Sequence, residues 1–236
     1  MKSYQKYFSA CSLALLCQAA FAQSAPPLGG AADFAILGGA GVTCTNSTVT
    51  GAAGSLLTVV PTTTCSIVGS IDQGDAAAIQ AFSDAALAYE ALAAIPCPAD
   101  ADRNLTGDLG GKVLSPGVYC ISGVGLLASQ LTLDGPSDGI WIFKASTSLT
   151  PINGSVVMAG GGQASNVYWQ TGTAVSLNNT QFLGNILAGT AVTFTGVGSS
   201  LSGRALAKTA LTATGASISS DCASQPAPGL APFASK

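Results

Sequence analysis

The stretch Asn166-Val-Tyr-Trp-Gln-Thr-Gly172 opens a repeat that decides the fold of this chain. Related stretches begin 19 residues later, at Asn185, and another 19 residues later, at Arg204. Each unit contains two more short segments in which small polar and apolar residues alternate, as in Thr190-Ala-Val-Thr-Phe194. Three short strands per repeat predict a three-sided coil, and coils of this kind bury their apolar side chains only by stacking on one another.

Earlier and less regular coils are indicated upstream of this repeat. Gly117-Val-Tyr-Cys120 and Gly139-Ile-Trp-Ile-Phe-Lys144 resemble the first strand of a unit, and the segment from Phe34 to Val49 resembles another coil. We therefore expect the strands on both sides of residues 72–95 to belong to one stack.

One long helix is predicted from about Asp72 to Ile95. Acidic residues stand at its start, where the helix dipole favours negative charge, and Pro96 follows its end. Its apolar stripe should face a long flat surface. The predicted stripe consists of Ile79, Phe82, Ala86, Tyr89 and Leu92. The predicted fold class is thus mainly β, a three-sided β-solenoid with one long α-helix packed alongside.

The first 22 residues have the pattern of a secretory signal. Lys2 and Lys6 precede a short apolar run, and Ala20-Phe21-Ala22 forms a small-residue cleavage site. We expect a signal peptide over residues 1–22, one solenoid domain over 23–222, a flexible tail over 223–236, and a secreted, monomeric protein.

Charge is scarce along the chain, which limits the classes of partner. Charged residues make up 8% of the sequence, against about 25% in an ordinary soluble protein. Removal of Lys2 and Lys6 leaves six basic residues against eleven acidic ones. This balance argues against nucleic acid and against a membrane surface as partners.

Five cysteines follow the predicted cleavage site, and export would permit disulfides. Proximity in sequence favours the pairs Cys44 with Cys65 and Cys97 with Cys120, although sequence alone leaves other connectivities open. Cys222 is then left over, either free or paired in another arrangement.

Catalysis is not expected. The chain has no histidine, which excludes a Ser-His-Asp or Cys-His nucleophile. Asp134 and Asp138 flank a Gly-Pro turn, and Asp100, Asp102 and Asp108 are interpreted as a solvated loop rather than a calcium site. We therefore predict no enzyme activity, catalytic residue, metal ligand or cofactor.

The third strand of each coil predicts a flat, uncharged surface. If Val49, Phe182, Leu201 and Ile218 point inward, their neighbours point outward. The outward residues are then Thr48, Thr50, Gln181, Leu183, Ser200, Ser202, Ser217 and Ser219. Such side chains would repeat at about 6.7 Å along a strand and about 4.8 Å across coils, a lattice able to hold ordered water.

The order of these elements resembles the secreted microbial ice-binding (antifreeze) protein family. The similar stretches are Leu28-Gly-Gly-Ala-Ala-Asp-Phe-Ala-Ile-Leu37, Leu114-Ser-Pro-Gly-Val-Tyr119, Leu131-Thr-Leu-Asp-Gly135, Trp141-Ile-Phe-Lys144, Ala164-Ser-Asn-Val-Tyr-Trp-Gln170, Gly184-Asn-Ile-Leu-Ala188 and Gly203-Arg-Ala-Leu-Ala207. The resemblance implies a discontinuous, right-handed β-solenoid that binds ice on an exposed face. The family's loose Thr-x-x-Thr pattern is met by Thr45-Asn-Ser-Thr48 and, with Ser in place of Thr, by Thr214-Gly-Ala-Ser217.

The leading hypothesis is therefore adsorption to ice, which would inhibit ice growth or recrystallisation. The candidate ice-binding residues are Thr45, Thr48, Thr50, Ser200, Ser202, Thr214, Ser217 and Ser219. One alternative is an extracellular adhesin or glycan-binding solenoid that uses the same face without ice activity. The other, less favoured, is a solenoid enzyme acting on polysaccharide.

Overall fold

The computed structural model describes residues 24–221, which form a three-sided, right-handed β-solenoid with one long helix along its side. All strand pairings are parallel, as the stacking of successive coils requires. The strands are β1 Phe34–Gly38, β2 Gly41–Thr45, β3 Thr48–Thr50, β4 Ala52–Ser55, β5 Val59–Pro61, β6 Ser66–Val68, β7 Ile71–Gln73, β8 Asn104–Asp108, β9 Val113–Leu114, β10 Gly117–Leu127, β11 Gln130–Asp134, β12 Trp141–Ala145, β13 Leu149–Pro151, β14 Ser155–Ala159, β15 Val167–Thr171, β16 Val175–Asn178, β17 Gln181–Ala188, β18 Val192–Thr195, β19 Ser199–Ala207, β20 Ala210–Thr214 and β21 Ala216–Ser219.

Three ladders form the three faces of the solenoid. The helix face, which the helix covers, stacks β8, β10, β12, β15, β17, β19, β1, β4 and β7 in that order. A second face, called here the threonine face, stacks β10, β13, β16, β18, β20, β2 and β5. The third, called the serine face, stacks β9, β11, β14, β17, β19, β21, β3 and β6.

The solenoid is discontinuous in sequence. Strand β1 pairs with β19 on one side and with β4 on the other, so the N-terminal coils extend the stack beyond the last C-terminal coil. The chain then leaves β7 at that end and begins β8 at the opposite end. Nine strands on the helix face span about 38 Å at about 4.8 Å per step, and the helix provides most of the return path.

The helix, α1, runs from Ala76 to Ala94 and is shorter than predicted. Its predicted start at Asp72 is wrong, because that residue lies in β7 and the N-cap is Asp75, whose carboxylate accepts a hydrogen bond from the Ala78 N–H at 2.9 Å. Its end, with Ile95 as the C-cap, is close to the prediction.

The buried stripe of α1 also differs from the prediction. Ile79 is 55% exposed, whereas Leu92 is buried as predicted, and Phe82 and Tyr89 are partly buried against the core. The other fully buried positions of the helix are alanines. The buried residues are Ala78, Ala81, Ala85, Ala88 and Leu92. Large side chains on the helix face fill the interface from the other side, among them Leu37, Tyr168 and Leu206. Small helix residues let the two backbones approach, and alanines contribute little to an apolar period in the sequence.

Aromatic side chains form a continuous stack inside the solenoid. The ring centroids of Tyr119 and Phe143 are 5.3 Å apart, those of Phe143 and Trp169 are 4.0 Å apart, and those of Trp169 and Phe182 are 4.7 Å apart. The Trp169 indole N–H donates to the Leu183 carbonyl at 2.9 Å, so its polar group is satisfied within the core. These contacts connect three consecutive coils, because Trp169 and Phe182 lie on two sides of the same coil.

Both predicted disulfides are confirmed: Cys44 bonds to Cys65, and Cys97 bonds to Cys120. Cys222, the predicted signal peptide and the predicted tail lie outside the described residues. Across residues 24–221, no helix combines the length and the apolarity needed to cross a membrane.

Candidate functional site

The threonine face carries a regular array of hydroxyl groups. Strands β2, β20, β18 and β16 each alternate between buried apolar residues and outward small or polar ones. The central outward row contains Thr43, Thr212, Thr193 and Ser176, which are paired in register from coil to coil, and Thr150 continues it. The next row contains Thr45, Thr214, Thr195 and Asn178.

A third row on this face contains only small residues. Gly41 pairs with Ala210, and Ala191 and Ala174 precede the strands that continue the same ladder. The threonine face therefore has a flat row of glycine and alanine along one edge. The two rows beside it bear hydroxyl groups, and their threonines also bear methyl groups. Its far end is apolar, because Val124, Leu126 and Ile152 are 44%, 41% and 45% exposed.

The serine face is a second hydroxyl surface beside the first. Thr48 pairs with Ser217, and Ser217 with Ser200; in the neighbouring row Thr50 pairs with Ser219, and Ser219 with Ser202. Ser66 extends the first row on the outermost coil, and Val68 extends the second.

The predicted outward position of Leu183 on the serine face is wrong. Its side chain is fully buried in the solenoid core. The chain turns the corner directly after Leu183, at Gly184, whose φ of 102° lies in the left-handed region. The hydroxyl rows of the serine face are therefore interrupted at β17.

The eight candidate residues lie on both sides of the corner that joins the two hydroxyl faces. Six of them are on the serine face, whereas Thr45 and Thr214 are neighbours on the threonine face, each in the last outward position before the corner. At the corner Asn46 and Gly215 have φ values of 48° and 69°. The Ser47 hydroxyl there donates to the Thr45 carbonyl at 2.8 Å and accepts from the Ala216 N–H at 3.0 Å, which joins adjacent coils.

Most of the threonine face was not among the predicted site residues. The missed residues are Thr43, Thr150, Ser176, Thr193, Thr195 and Thr212. The signal was present in the repeated segments Thr173-Ala-Val-Ser-Leu177 and Thr190-Ala-Val-Thr-Phe194. The alternation rule that was applied to the third strand of each coil assigns outward positions on the second strand equally well.

Charged side chains lie away from the centres of both hydroxyl faces. Among the described residues, the strands β16, β18, β20, β21, β2 and β3 contain no charged residue. The Asp100 carboxylate accepts from the Asp102 N–H at 3.0 Å, and the Asp108 carboxylate accepts from the N–H groups of Gly110 and Ala128. These acids cap turns of the backbone, and within residues 24–221 no three acidic or cysteine side chains are grouped as a metal site would require.

Comparison with known proteins identifies the family. Residues 25–219 match the profile of the family described as Ice-binding-like. The chain belongs to this ice-binding family. It is 38% identical over 216 residues to an ice-binding protein of Nostoc sp. (strain HG1), covering 87% of this chain and 78% of that protein. It is 35% identical over 218 residues to ice-binding protein K3-B1 of Typhula ishikariensis, covering 82% and 89%.

Solved structures of ice-binding proteins have the same fold as this family member. The structure of an ice-binding protein from an Antarctic biological consortium superimposes with a TM-score of 0.77 at 31% identity, covering 84% of this chain and 91% of that one. A glycosylated ice-binding protein from an Arctic yeast gives 0.74 at 25% identity, covering 89% and 99%.

Proposed function

We propose that this protein adsorbs to ice and thereby inhibits ice growth or recrystallisation. The observation that carries the proposal is the in-register array of hydroxyl and methyl groups, free of charge, on two flat faces that share a corner. Membership of the ice-binding family and the names of the relatives support it.

The array suits a crystal surface for physical reasons. Parallel stacking fixes the outward side chains at about 4.8 Å across coils and about 6.7 Å along a strand, so the lattice is rigid. A threonine offers a hydroxyl that bonds water and a methyl that orders the water around it, whereas a charged group would hold its own hydration shell. Adsorption of this kind needs no turnover and no cofactor.

We propose that the contact residues include the eight predicted from sequence, Thr45, Thr48, Thr50, Ser200, Ser202, Thr214, Ser217 and Ser219, together with the threonine-face rows beside them. The threonine face has the longest unbroken hydroxyl row, because its central row continues through Thr43, Thr212, Thr193, Ser176 and Thr150. On the serine face one hydroxyl row ends at Gln181 and the other at the buried Leu183.

Tyrosine substitutions should separate the contributions of the two faces. The pair Thr193→Tyr with Thr212→Tyr places large rings on the threonine face, and the pair Thr48→Tyr with Ser217→Tyr places them on the serine face. Leu87→Tyr, at a helix position that is 68% exposed and remote from both faces, is the matched control. Thermal hysteresis, crystal shape and recrystallisation are measured on proteins with unchanged circular dichroism.

The native chain and the control should shape ice crystals. The threonine-face pair should lose most of the activity, and the serine-face pair should lose part of it. Normal ice growth in the presence of the native chain at high concentration would refute ice binding. Binding to an insoluble glycan in that case would favour the adhesin alternative.

We further propose that the protein is secreted and monomeric. Two disulfides suit an oxidising compartment outside the cytosol, and the pattern of residues 1–22 predicts cleavage after Ala22. N-terminal sequencing of protein from the culture medium and light scattering of the purified chain test both statements. A retained N-terminus or a stable dimer would contradict them.

A further inference from the structure

A cleft of about 410 Å³ opens on the helix face, at the C-terminal end of α1. Its walls are the helix end at Ala93, the Cys97–Cys120 disulfide, and the outward residues of β10, β12 and β15. Small-molecule sites in proteins have volumes of about 300 to 1,000 Å³. The cleft is separate from the rows of the threonine and serine faces, so ice adsorption does not use it.

The side chain of Gln170 lines this cleft and has no hydrogen-bond partner among the residues that the structure describes. It projects from the helix face because its neighbours Trp169 and Thr171 point into the solenoid. It is 7% exposed, and within residues 24–221 its side-chain amide makes no hydrogen bond. A buried amide without partners costs about 1 to 3 kcal/mol, so such a group calls for a ligand or for bound water.

Lys144 lies next to Gln170 in the parallel register. Its ammonium group donates to the carbonyl oxygens of Ala93, at 2.9 Å, and of Ile95, at the end of the helix. An ammonium group has three protons, so one remains for another acceptor. Burial lowers the pKa of Lys144 below its ordinary value because the charged form loses water, and a nearby anion would stabilise that charge.

Among the described residues that line the cleft, the other polar side chains are those of Asn104, Ser122 and Ser146, and no carboxylate opposes the lysine. The Asn104 amide donates to the carbonyl oxygens of Pro98 and Asp100, and the Ser122 hydroxyl donates to the Leu105 carbonyl at 3.5 Å, so these protons already have acceptors. The Ser146 hydroxyl accepts from the Gly123 N–H at 2.8 Å, which leaves its own proton free to donate. Lys144 is the one charged side chain among the described residues that line the cleft. A ligand there meets an ammonium, an amide and a hydroxyl, all of which can donate to oxygen.

We propose that this cleft binds a small organic carboxylate, whose oxygens accept hydrogen bonds from Lys144, the Gln170 amide and the Ser146 hydroxyl. A carboxylate uses all three donors and supplies the negative charge that the cleft lacks. The disulfide, Ala93 and Ala145 provide the apolar wall for its carbon skeleton.

Nuclear magnetic resonance of the full chain tests this proposal. Sodium lactate, sodium acetate, sodium chloride and glycerol are titrated separately to roughly 100 mM, far above the Kd of about 1 mM that marks weak binding. Saturable shifts of the Gln170 side-chain amide and of the backbone amides at 144–146 are expected with lactate or acetate. Chloride and glycerol should leave them unchanged.

The Gln170→Leu variant provides the decisive comparison. It should weaken carboxylate binding at least tenfold while leaving the melting temperature unchanged or higher, because the amide has no partner to lose among residues 24–221. Ser146→Ala, a smaller change, should weaken binding in the same direction. Gln181→Leu, on the serine face, is the matched control and should bind as the native chain does.

Three outcomes would overturn the proposal: no saturable shift with either carboxylate, equal shifts in Gln170→Leu, or saturation by glycerol alone, which would indicate a polyol site. A large loss of stability in Gln170→Leu would instead assign that amide a structural role. Ice growth should be inhibited equally by Gln170→Leu and the native chain, so a failure here is distinguishable from a failure of ice binding.

Discussion

Removal of the Cys44–Cys65 disulfide should release the outermost coil and little else. Cys44 lies in β2, and Cys65 immediately precedes β6. Strands β5, β6 and β7 form this coil, and each has a neighbouring strand on one side only, namely β2, β3 or β4. The double variant Cys44→Ala with Cys65→Ala removes the crosslink without placing a new polar group in the core.

The size of the effect follows from the loop that the disulfide closes. The two cysteines are 21 residues apart, and loop-closure entropy assigns a crosslink of this span about 3.4 kcal/mol. Apolar packing gives this coil only modest further support: Val59 is buried and Ile67 is partly buried against the core, whereas Val60 and Val68 are 50% and 62% exposed. Burial of one valine contributes about 1.5 to 3 kcal/mol, so the disulfide supplies a comparable or larger share.

Hydrogen exchange measured by mass spectrometry should reveal this local opening. A loss of about 3.4 kcal/mol corresponds to about a 300-fold loss of protection, since each 1.4 kcal/mol is a factor of ten. The loss should appear in peptides from residues 56–73 and be absent from residues 185–207. The global melting temperature should fall only slightly, because an already open coil contributes nothing further to unfolding.

Two results would refute this reasoning. Protection of residues 56–73 that stays within about threefold of the native value would mean that packing alone holds the coil. A uniform loss across the whole chain would mean that the solenoid opens as one unit. The variant Cys97→Ala with Cys120→Ala is the control, because that disulfide joins the segment after α1 to β10 at the opposite end of the stack.

Three further substitutions test the packing. Phe143→Ala interrupts the aromatic stack at a side chain that is 1% exposed and should cost about 3 to 5 kcal/mol in urea denaturation, with Phe143→Leu costing less. A Cβ atom at Gly203 would lie 2.0 Å from a backbone carbonyl oxygen of the adjacent coil, so Gly203→Ala should prevent folding or greatly lower the melting temperature. The control is Gly107→Ala, which has open space around it and should cost about 1 kcal/mol. Lys208→Met removes an exposed ion pair to Glu90 and a cation–π contact with the Tyr89 ring, whose centroid is 3.7 Å from the ammonium nitrogen. It should lower the free energy of unfolding by less than about 2 kcal/mol; a larger loss would indicate that these two contacts fasten the helix.

The sequence was informative where the repeat is regular. Units starting at Asn166, Asn185 and Arg204 predict three strands each, and the structure places them in the expected coils. The first disulfide was predictable for a related reason. Residues about one coil apart in sequence are neighbours in a stack, and the separation of 21 residues between Cys44 and Cys65 matches this distance. Cys97 lies outside the strands, so only its proximity in sequence to Cys120 indicated the second pair.

The helix was less predictable at its start and on its buried face. Asp72 and Asp75 are both acceptable near a helix N-terminus, and only the pairing of β7 with β4 assigns the first to a strand. The buried residues are mainly alanines, whose small apolar side chains contribute little to the hydrophobic periodicity by which a buried helix face is predicted. The stripe that is buried depends on packing against Leu37 and Leu206 of the solenoid. These residues lie outside the helix, so the helix sequence alone does not indicate which stripe they cover.

The sequence predicted that N-terminal and C-terminal residues share the serine face, but it could not predict which of them are neighbours, because neighbours on the faces are distant in the chain. Thr43 lies beside Thr212, and Thr48 beside Ser217, only because the N-terminal coils extend the C-terminal end of the stack. The repeat in the sequence predicts the rows within the C-terminal coils. It does not predict the register in which these rows continue into the N-terminal coils. Since the junction lies within both hydroxyl faces, a change that displaces the N-terminal coils should shorten both arrays at once, whereas a single outward tyrosine affects only one. Adsorption to ice therefore depends on the discontinuity of the fold as well as on the side chains themselves.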